Sequence, residues 1–124
     1  MENVVTFEDI EREFNEMQAD VMGQFWQFLD GIKALRSELN ALEQQPMYGG
    51  GIWIKDGKYA YKVYTPPGEK RVREYYGRDI AALRREQENY RKHAALSKQY
   101  NEQLRKLRVA RRKFNELADL FGDK

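Results

Sequence analysis

The chain has 124 residues, of which 34% are charged and 13% aromatic, and its formal net charge is +2. So high an aromatic fraction excludes a disordered polar chain, and the length suffices for one domain but not for two. The absence of cysteine excludes a disulfide scaffold and thiolate metal sites. No apolar run approaches the ~20 residues of a membrane span, and the acidic start lacks the pattern of a signal peptide. We therefore expect a cytoplasmic protein with no membrane partner.

The first predicted element is a helix over residues 7–45. Thr6 and Asp9 have the spacing of a capping box, and Pro46 prevents the helix from continuing. Between these limits, apolar residues recur at steps of three and four and form one stripe along the helix. The stripe consists of Phe7, Ile10, Phe14, Met17, Val21, Phe25, Phe28, Ile32, Leu35, Leu39 and Leu42.

A second apolar strip lies beside the first in the middle of this helix. One antiparallel partner helix cannot cover both strips, and exposed apolar patches usually mark interfaces. We therefore expect a homo-oligomer, most simply a dimer with a four-helix core. The predicted interface residues are Met22, Phe25, Trp26, Phe28 and Leu29.

The stretch "GGGIWIKDGKYAYKVY", residues 49–64, is typical of a β-hairpin. Asp56 and Gly57 favour a two-residue type I′ turn, because both tolerate positive φ. A further turn near Pro67, which cannot donate to a β-ladder, would return the chain along a third strand. The sequence thus predicts a three-stranded β-meander over residues 51–76. We interpret the preceding glycines, residues 49–51, as giving the chain freedom to leave the helix.

The predicted pairing sets Ile52 opposite Tyr61 and Lys62 opposite Arg73. Since side chains alternate along a strand, it also sorts them between two faces. The face expected to pack on the helices holds Ile52, Ile54, Tyr59, Tyr61, Val63, Val72 and Tyr76, together with Glu74. The other face holds Trp53, Lys55, Lys58, Lys62, Tyr64, Arg71, Arg73 and Tyr75.

That second face alternates basic and aromatic side chains, which has two interpretations. Rings that stack on bases, beside cations that contact phosphates, are typical of surfaces that bind single-stranded nucleic acid with little sequence preference. Alternatively, aromatic residues simply suit strands, and basic side chains laid over them cover a solvated sheet. An exposed Trp53 would favour binding, whereas a buried one would favour a core role.

A second helix is predicted over residues 78–121, ending at Gly122. Both helices would be about 60 Å long at ~1.5 Å per residue, which indicates a coiled-coil hairpin. The predicted fold class is therefore mainly α with small β. It is a long antiparallel coiled-coil helical hairpin with a three-stranded β-meander inserted at its tip, in a single domain of residues 1–124.

Charge is segregated along the chain. Residues 1–45 have ten acidic and three basic residues, whereas residues 105–113 hold six basic residues and no acidic one. If the helices pair so that opposing residue numbers add to about 123, this basic run faces the acidic stretch at residues 8–20. The same register sets bulky Phe25 and Phe28 against small Ala95 and Ser97. The basic run has two interpretations, cross-helix complementarity and phosphate binding, and we favour the first.

Residues 59–107, "YAYKVYTPPGEKRVREYYGRDIAALRREQENYRKHAALSKQYNEQLRKL", resemble an uncharacterised family of short bacterial and archaeal proteins often encoded near transposases. The resemblance implies a mobile-element or phage setting and supplies neither a reaction nor a catalytic residue. Family members commonly carry a cysteine-rich segment before the hairpin, whereas this chain has "MYGGGIW" there, so no metal site is carried over. The order helix, hairpin, helix is also similar to prefoldin subunits, in architecture alone.

Enzyme interpretations find little support in the sequence. His93 is the single histidine, and no serine or cysteine nucleophile is arranged with it. Residues 49–51 lack the context of a phosphate loop. We therefore expect no catalytic residue, metal, cofactor or small-molecule substrate. The predicted function is that of a nucleic-acid-associated accessory protein of a mobile element or phage, whose partner is single-stranded nucleic acid or a nucleoprotein. The alternative is a protein-binding adaptor, inhibitor or holdase that acts through apolar coiled-coil surfaces.

Overall fold

The fold is taken from a computed structural model, which describes residues 4–122. Along the chain lie α1 (Phe7–Glu43), β1 (Gly51–Lys55), β2 (Tyr59–Tyr64), β3 (Val72–Gly77) and α2 (Ile80–Phe121). The predicted fold class is confirmed, with two long helices and a three-stranded antiparallel sheet between them in the order β1-β2-β3. No helix in the described range is long and apolar enough to cross a membrane.

The contacts of the chain divide it into two units, residues 1–34 and residues 35–124, with the boundary inside α1. The first unit begins with the predicted capping box. The amide of Thr6 donates to Asp9 Oδ2 at 3.2 Å, and the amide of Asp9 donates to Thr6 Oγ1 at 3.2 Å. These bonds satisfy amides that have no partner within the helix. They also hold the pKa of Asp9 below its ordinary value, with a smaller contribution from Arg12.

In the second unit, the β1–β2 turn is one residue longer than predicted. Asp56 and Gly57 both have positive φ, at 54° and 67°, and the amide of Lys58 donates to the carbonyl of Lys55 at 3.0 Å. Lys55 pairs with Tyr59, however, so Lys58 belongs to the loop. The predicted turn chemistry is correct, but the predicted register of this hairpin is wrong by one residue.

The register between β2 and β3 also differs from the prediction. Lys62 lies opposite Glu74, and Arg73 lies opposite Val63. The pairing is interrupted by an irregularity between Ala60 and Tyr61. The expected like-charge pair of Lys62 and Arg73 is therefore wrong, and an opposite-charge pair stands in its place. Opposite charges across a strand pair are stabilising, which explains the choice of residues locally.

One face of the sheet packs on the beginning of α2. Ala60 of β2 and Leu83 of α2 are both fully buried, and α2 contacts β2. The Tyr76 hydroxyl donates to Glu86 Oε2 at 2.5 Å, and Gln87 Nε2 donates to the carbonyl of Gly50 at 2.8 Å. The first turns of α2 therefore cover the sheet and the segment that leads into it.

Because those turns are occupied by the sheet, α1 meets α2 further along than predicted. Arg36 Nη1 donates to the Tyr100 hydroxyl at 3.1 Å, and His93 Nε2 lies 3.1 Å from Glu43 Oε1. The residue numbers of both pairs add to 136 instead of about 123. The two helices are antiparallel here, as expected, but the predicted helix register is wrong by about 13 residues within residues 35–122.

Candidate functional site

A row of four aromatic rings lies on the face of the sheet turned away from α2. Trp53 pairs with Tyr61, and Tyr61 pairs with Tyr75, which places the three on one face because directly opposed residues point the same way. Their ring centroids are 5.1 Å and 5.3 Å apart, and Tyr59 extends the row at 6.4 Å from Tyr75. All three distances are typical of interacting aromatic pairs.

An arginine flanks each end of this row. The guanidinium of Arg73 lies 4.5 Å from the centroid of Trp53, and that of Arg78 lies 5.4 Å from the centroid of Tyr59. Arg78 Nη2 also donates to the Tyr59 hydroxyl at 3.5 Å. Both contacts have the geometry of cation–π interactions. Together with Lys55, which pairs with Tyr59, these residues form what we call the Arg-aromatic face: Trp53, Lys55, Tyr59, Tyr61, Arg73, Tyr75 and Arg78.

The rings of the Arg-aromatic face differ in their exposure. Tyr75 in the centre of the row is 55% exposed, and Trp53 at its end is 37% exposed, while Tyr59 and Tyr61 are half-buried. Trp53 is thus exposed, as the binding interpretation requires. The arginine stacked on it is what the covering interpretation expects. Tyr75 is therefore the ring with the most surface left for a ligand.

The structure brings together half of the predicted site. Of the predicted residues, Trp53, Lys55, Arg73 and Tyr75 share the Arg-aromatic face. Lys58 lies in the turn, and Arg71 precedes β3. Lys62 and Tyr64 lie on the opposite face, because they pair with Glu74 and Val72. Their assignment to the basic and aromatic face was wrong, since each register shift of one residue exchanges the faces.

The sequence pattern does not predict three members of the Arg-aromatic face. Tyr59 and Tyr61 were assigned to the helix-packed face, again because of the register. A three-residue loop would have paired Trp53 with Tyr61, and the preference for aromatic cross-strand pairs could have favoured it. Arg78 precedes α2 in the sequence, and no local pattern indicates that it folds back on Tyr59.

Lys62 contacts two aromatic rings within the protein, so its charge is accounted for without a ligand. Its ammonium group lies 5.2 Å from the centroid of Tyr48 and 5.6 Å from that of Tyr76, between the two rings. The hydrogen bond to Glu86 raises the pKa of Tyr76 above its ordinary value of 10.0, and burial adds to the effect. Burial also raises the pKa of Tyr48, whose hydroxyl donates to the carbonyl of Val63 at 3.0 Å. These groups hold the sheet to the rest of the unit.

The residues of the predicted oligomer interface differ in how much of their surface is exposed. Trp26 is 57% exposed, whereas Met22, Phe25, Phe28 and Leu29 are half-buried. Phe25 and Trp26 contact each other edge to face, with centroids 5.6 Å apart. Trp26 thus leaves much of its apolar surface in water, and exposed apolar surface of this kind is typical of interfaces.

The described residues contain no group of three metal-ligating side chains. No family model matches the chain, and no curated protein or solved structure is significantly similar to it. The resemblance of residues 59–107 to the transposase-associated family therefore stays a prediction.

Proposed function

We propose that the protein binds single-stranded nucleic acid through the Arg-aromatic face and acts without catalysis as an accessory protein of a mobile element or phage. The observation that supports binding is the row of four rings, exposed at Trp53 and Tyr75, with an arginine at each end. The genetic setting rests on the sequence resemblance alone.

The chemistry of the face favours a single strand over a duplex. Every base has a π-face that can stack on an aromatic ring, but in a duplex those faces are already stacked on one another. Tyr75 and Trp53 offer ring surface at a spacing set by the strands. A ligand with splayed bases could stack on them without preference for sequence.

The cations suit the phosphates of such a strand. A guanidinium stacked on a ring keeps its N–H groups at the periphery, where they can donate two parallel hydrogen bonds to a phosphate. The guanidinium groups of Arg73 and Arg78 lie over rings at opposite ends of the row. Lys55 adds a third positive charge, and none of the seven residues of the face is acidic.

Fluorescence anisotropy with labelled oligodeoxythymidine and oligouridine, both longer than a typical site of ~4–16 nucleotides, would test the proposal. We expect Tyr75→Ala to weaken binding by roughly 5- to 150-fold in Kd, corresponding to ~1–3 kcal/mol for a stacked base. Arg73→Ala should lower the dependence of affinity on salt by ~0.7 in logarithmic slope for each lost phosphate contact.

Tyr64→Ala is the matched control, because Tyr64 is as exposed as Trp53 but lies on the opposite face of the sheet. Its affinity should equal that of the unchanged protein. Equal losses in Tyr64→Ala and Tyr75→Ala would refute the assignment of the face, and preference for a duplex of the same length would refute the choice of ligand.

The alternative function, a protein-binding adaptor or holdase, is favoured by a different observation. Large apolar side chains are exposed along α1 and at the end of α2. Binding of an unfolded client protein through these side chains would be insensitive to salt, whereas binding to nucleic acid weakens steeply with salt. Measurement of affinity at low and high salt distinguishes the two.

A further inference from the structure

In the described part of the first unit, residues 4–34, acidic and apolar side chains line one helix, and Ile32 alone is buried. In residues 4–34, the side chains of Phe7, Phe14, Met17, Val21 and Trp26 are all more than half exposed. An isolated helix is marginally stable in water, and most helices in proteins depend on packing of their apolar face. These five side chains, which we call the α1 stripe, therefore have the properties of a surface that a partner covers.

A second exposed apolar stripe lies at the end of α2. Leu117 is nearly half exposed, and Leu120 and Phe121 are each 72% exposed. A shallow cleft beside Leu117 and Leu120 is completed by Lys113 and Glu116. This stripe, too, leaves apolar side chains in water in the single chain.

Two charged segments near the stripes are complementary, one alongside the α1 stripe and one directly before the α2 stripe. Residues 8–20 of α1 contain six acidic side chains and one basic one, whereas residues 105–113 of α2 contain six basic side chains and no acidic one. Within that basic run, Arg112 contacts Glu116 of its own helix at 4.0 Å, through an exposed pair of little energetic weight. A partner for the α1 stripe should therefore be amphipathic and carry a basic segment next to its exposed apolar side chains, as α2 does.

We propose that this partner is a second copy of the chain, with the α1 stripe of one copy packed on the α2 stripe of the other. Apolar contacts would supply the affinity, and the flanking charges would select the partner and the register. A two-fold axis would repeat the contact, so that α1 of each copy meets α2 of the other and the assembly closes as a dimer. The inference rests on the two stripes and is independent of the Arg-aromatic face.

Charge reversal separates contacts between copies from contacts within one chain. One variant carries Glu11→Lys, Glu13→Lys and Glu16→Lys, and the other carries Arg105→Glu, Arg108→Glu and Arg111→Glu. Arg112 is left unchanged because of its contact with Glu116. By light scattering at tens of micromolar, we expect the unchanged protein at twice the 14.8 kDa mass of one chain and each variant alone at the single-chain mass.

An equimolar mixture of the two variants should restore the doubled mass. In the mixed dimer, the reversed α1 of one chain meets the reversed α2 of the other, and the two unchanged segments meet as well. If the charges paired within one chain, mixing would restore nothing, and that result would overturn the proposal. A single-chain mass for the unchanged protein would overturn it directly.

Trp26→Asp tests the apolar part of the same interface without altering either charged segment. It should reduce the dimer to the single-chain mass while circular dichroism retains the helical signal of the second unit. A doubled mass in this variant would place the interface elsewhere.

Discussion

Gly49 and Gly50, before the sheet, are required for a steric reason that the neighbouring sequence does not indicate. None of residues 49–51 has a positive φ, so conformational freedom is not what they supply. A Cβ atom on Gly49 would lie 2.6–2.9 Å from the ring of Tyr90, and one on Gly50 would overlap the ring of Tyr48. The interpretation of this run as an exit from the helix is therefore corrected at Gly49 and Gly50, where glycine is needed for the close approach of two rings.

Gly50→Ala should therefore destabilise the protein by ~1–3 kcal/mol, because Tyr48 is held by hydrogen bonds to Gly51 and Val63 and cannot move aside freely. Gly23→Ala is the matched control, since a Cβ there meets nothing within 4 Å. Alanine in an exposed helix interior should raise stability by ~0.5–1 kcal/mol. Urea unfolding of both variants would check the prediction, which fails if the two changes have the same sign.

Tyr76 predicts a dependence of stability on alkaline pH. The hydrogen bond to Glu86 raises the pKa of the folded-state phenol above the ordinary value of 10.0, which stabilises the protonated form. This contribution is fully present below pH 10.0 and is lost as the pH rises through the higher, folded-state pKa. Tyr48 changes in the same direction.

Tyr76→Phe should therefore make the thermal midpoint less dependent on pH between neutrality and pH 11, measured by circular dichroism. Tyr64→Phe provides the control, since its hydroxyl is exposed and makes a long contact of 3.5 Å with Glu74. An unchanged pH profile in Tyr76→Phe would contradict the assignment of the titrating group.

At the scale of the element, the register of the sheet decides which residues act together. The observed register sets Lys62 against Glu74 and exposes a face of rings flanked by arginines. The register predicted from the sequence would have paired two cations, Lys62 and Arg73. An anionic ligand would then have been needed to offset their repulsion. With the observed pairing, Lys62 is stabilised within the protein, and no ligand is needed to account for it.

A charge exchange distinguishes the two registers. Lys62→Glu should destabilise the protein, because it opposes Glu74 with a like charge and removes the ammonium from between two rings. Under the predicted register, the same change would create an attractive pair with Arg73 and stabilise the protein. Adding Glu74→Lys to the variant should recover part of the loss, ~0.2–1 kcal/mol for the cross-strand pair. Lys58→Glu, in the turn, should leave the thermal midpoint unchanged.

At the scale of the whole molecule, a variant that disrupts one of the two proposed surfaces should leave the function of the other unchanged. Tyr75→Ala changes the sheet and should leave the molecular mass unaltered. Trp26→Asp changes the first unit, and each single chain that it produces still carries a complete Arg-aromatic face. Affinity per chain for a short oligonucleotide should therefore persist in the Trp26→Asp variant, while a longer strand that spans both faces of a dimer should lose the added avidity.

The sequence by itself determined the elements. Both helices, all three strands and the hairpin turn at Asp56 and Gly57 were predictable to within about two residues, because helix caps, proline stops and residues that tolerate positive φ act over a few neighbouring positions. Alternation within one strand is also local, so Trp53 with Lys55 and Arg73 with Tyr75 were grouped correctly. The two pairs were predicted on one face because the register errors on the two sides of β2 cancelled. Mobile-element function and dimerisation remain predictions at this level.

The tertiary structure decided how those elements are aligned. One additional loop residue, Lys58, changed which side chains share a face of the sheet, because strand pairing propagates a local shift along its whole length. The packing of Leu83 on the sheet occupied the first turns of α2 and displaced the meeting point with α1. The second effect depends on contacts between residues distant in the chain, and the apolar pattern of a helix is nearly the same in several registers. The burial of specific side chains selects one of them.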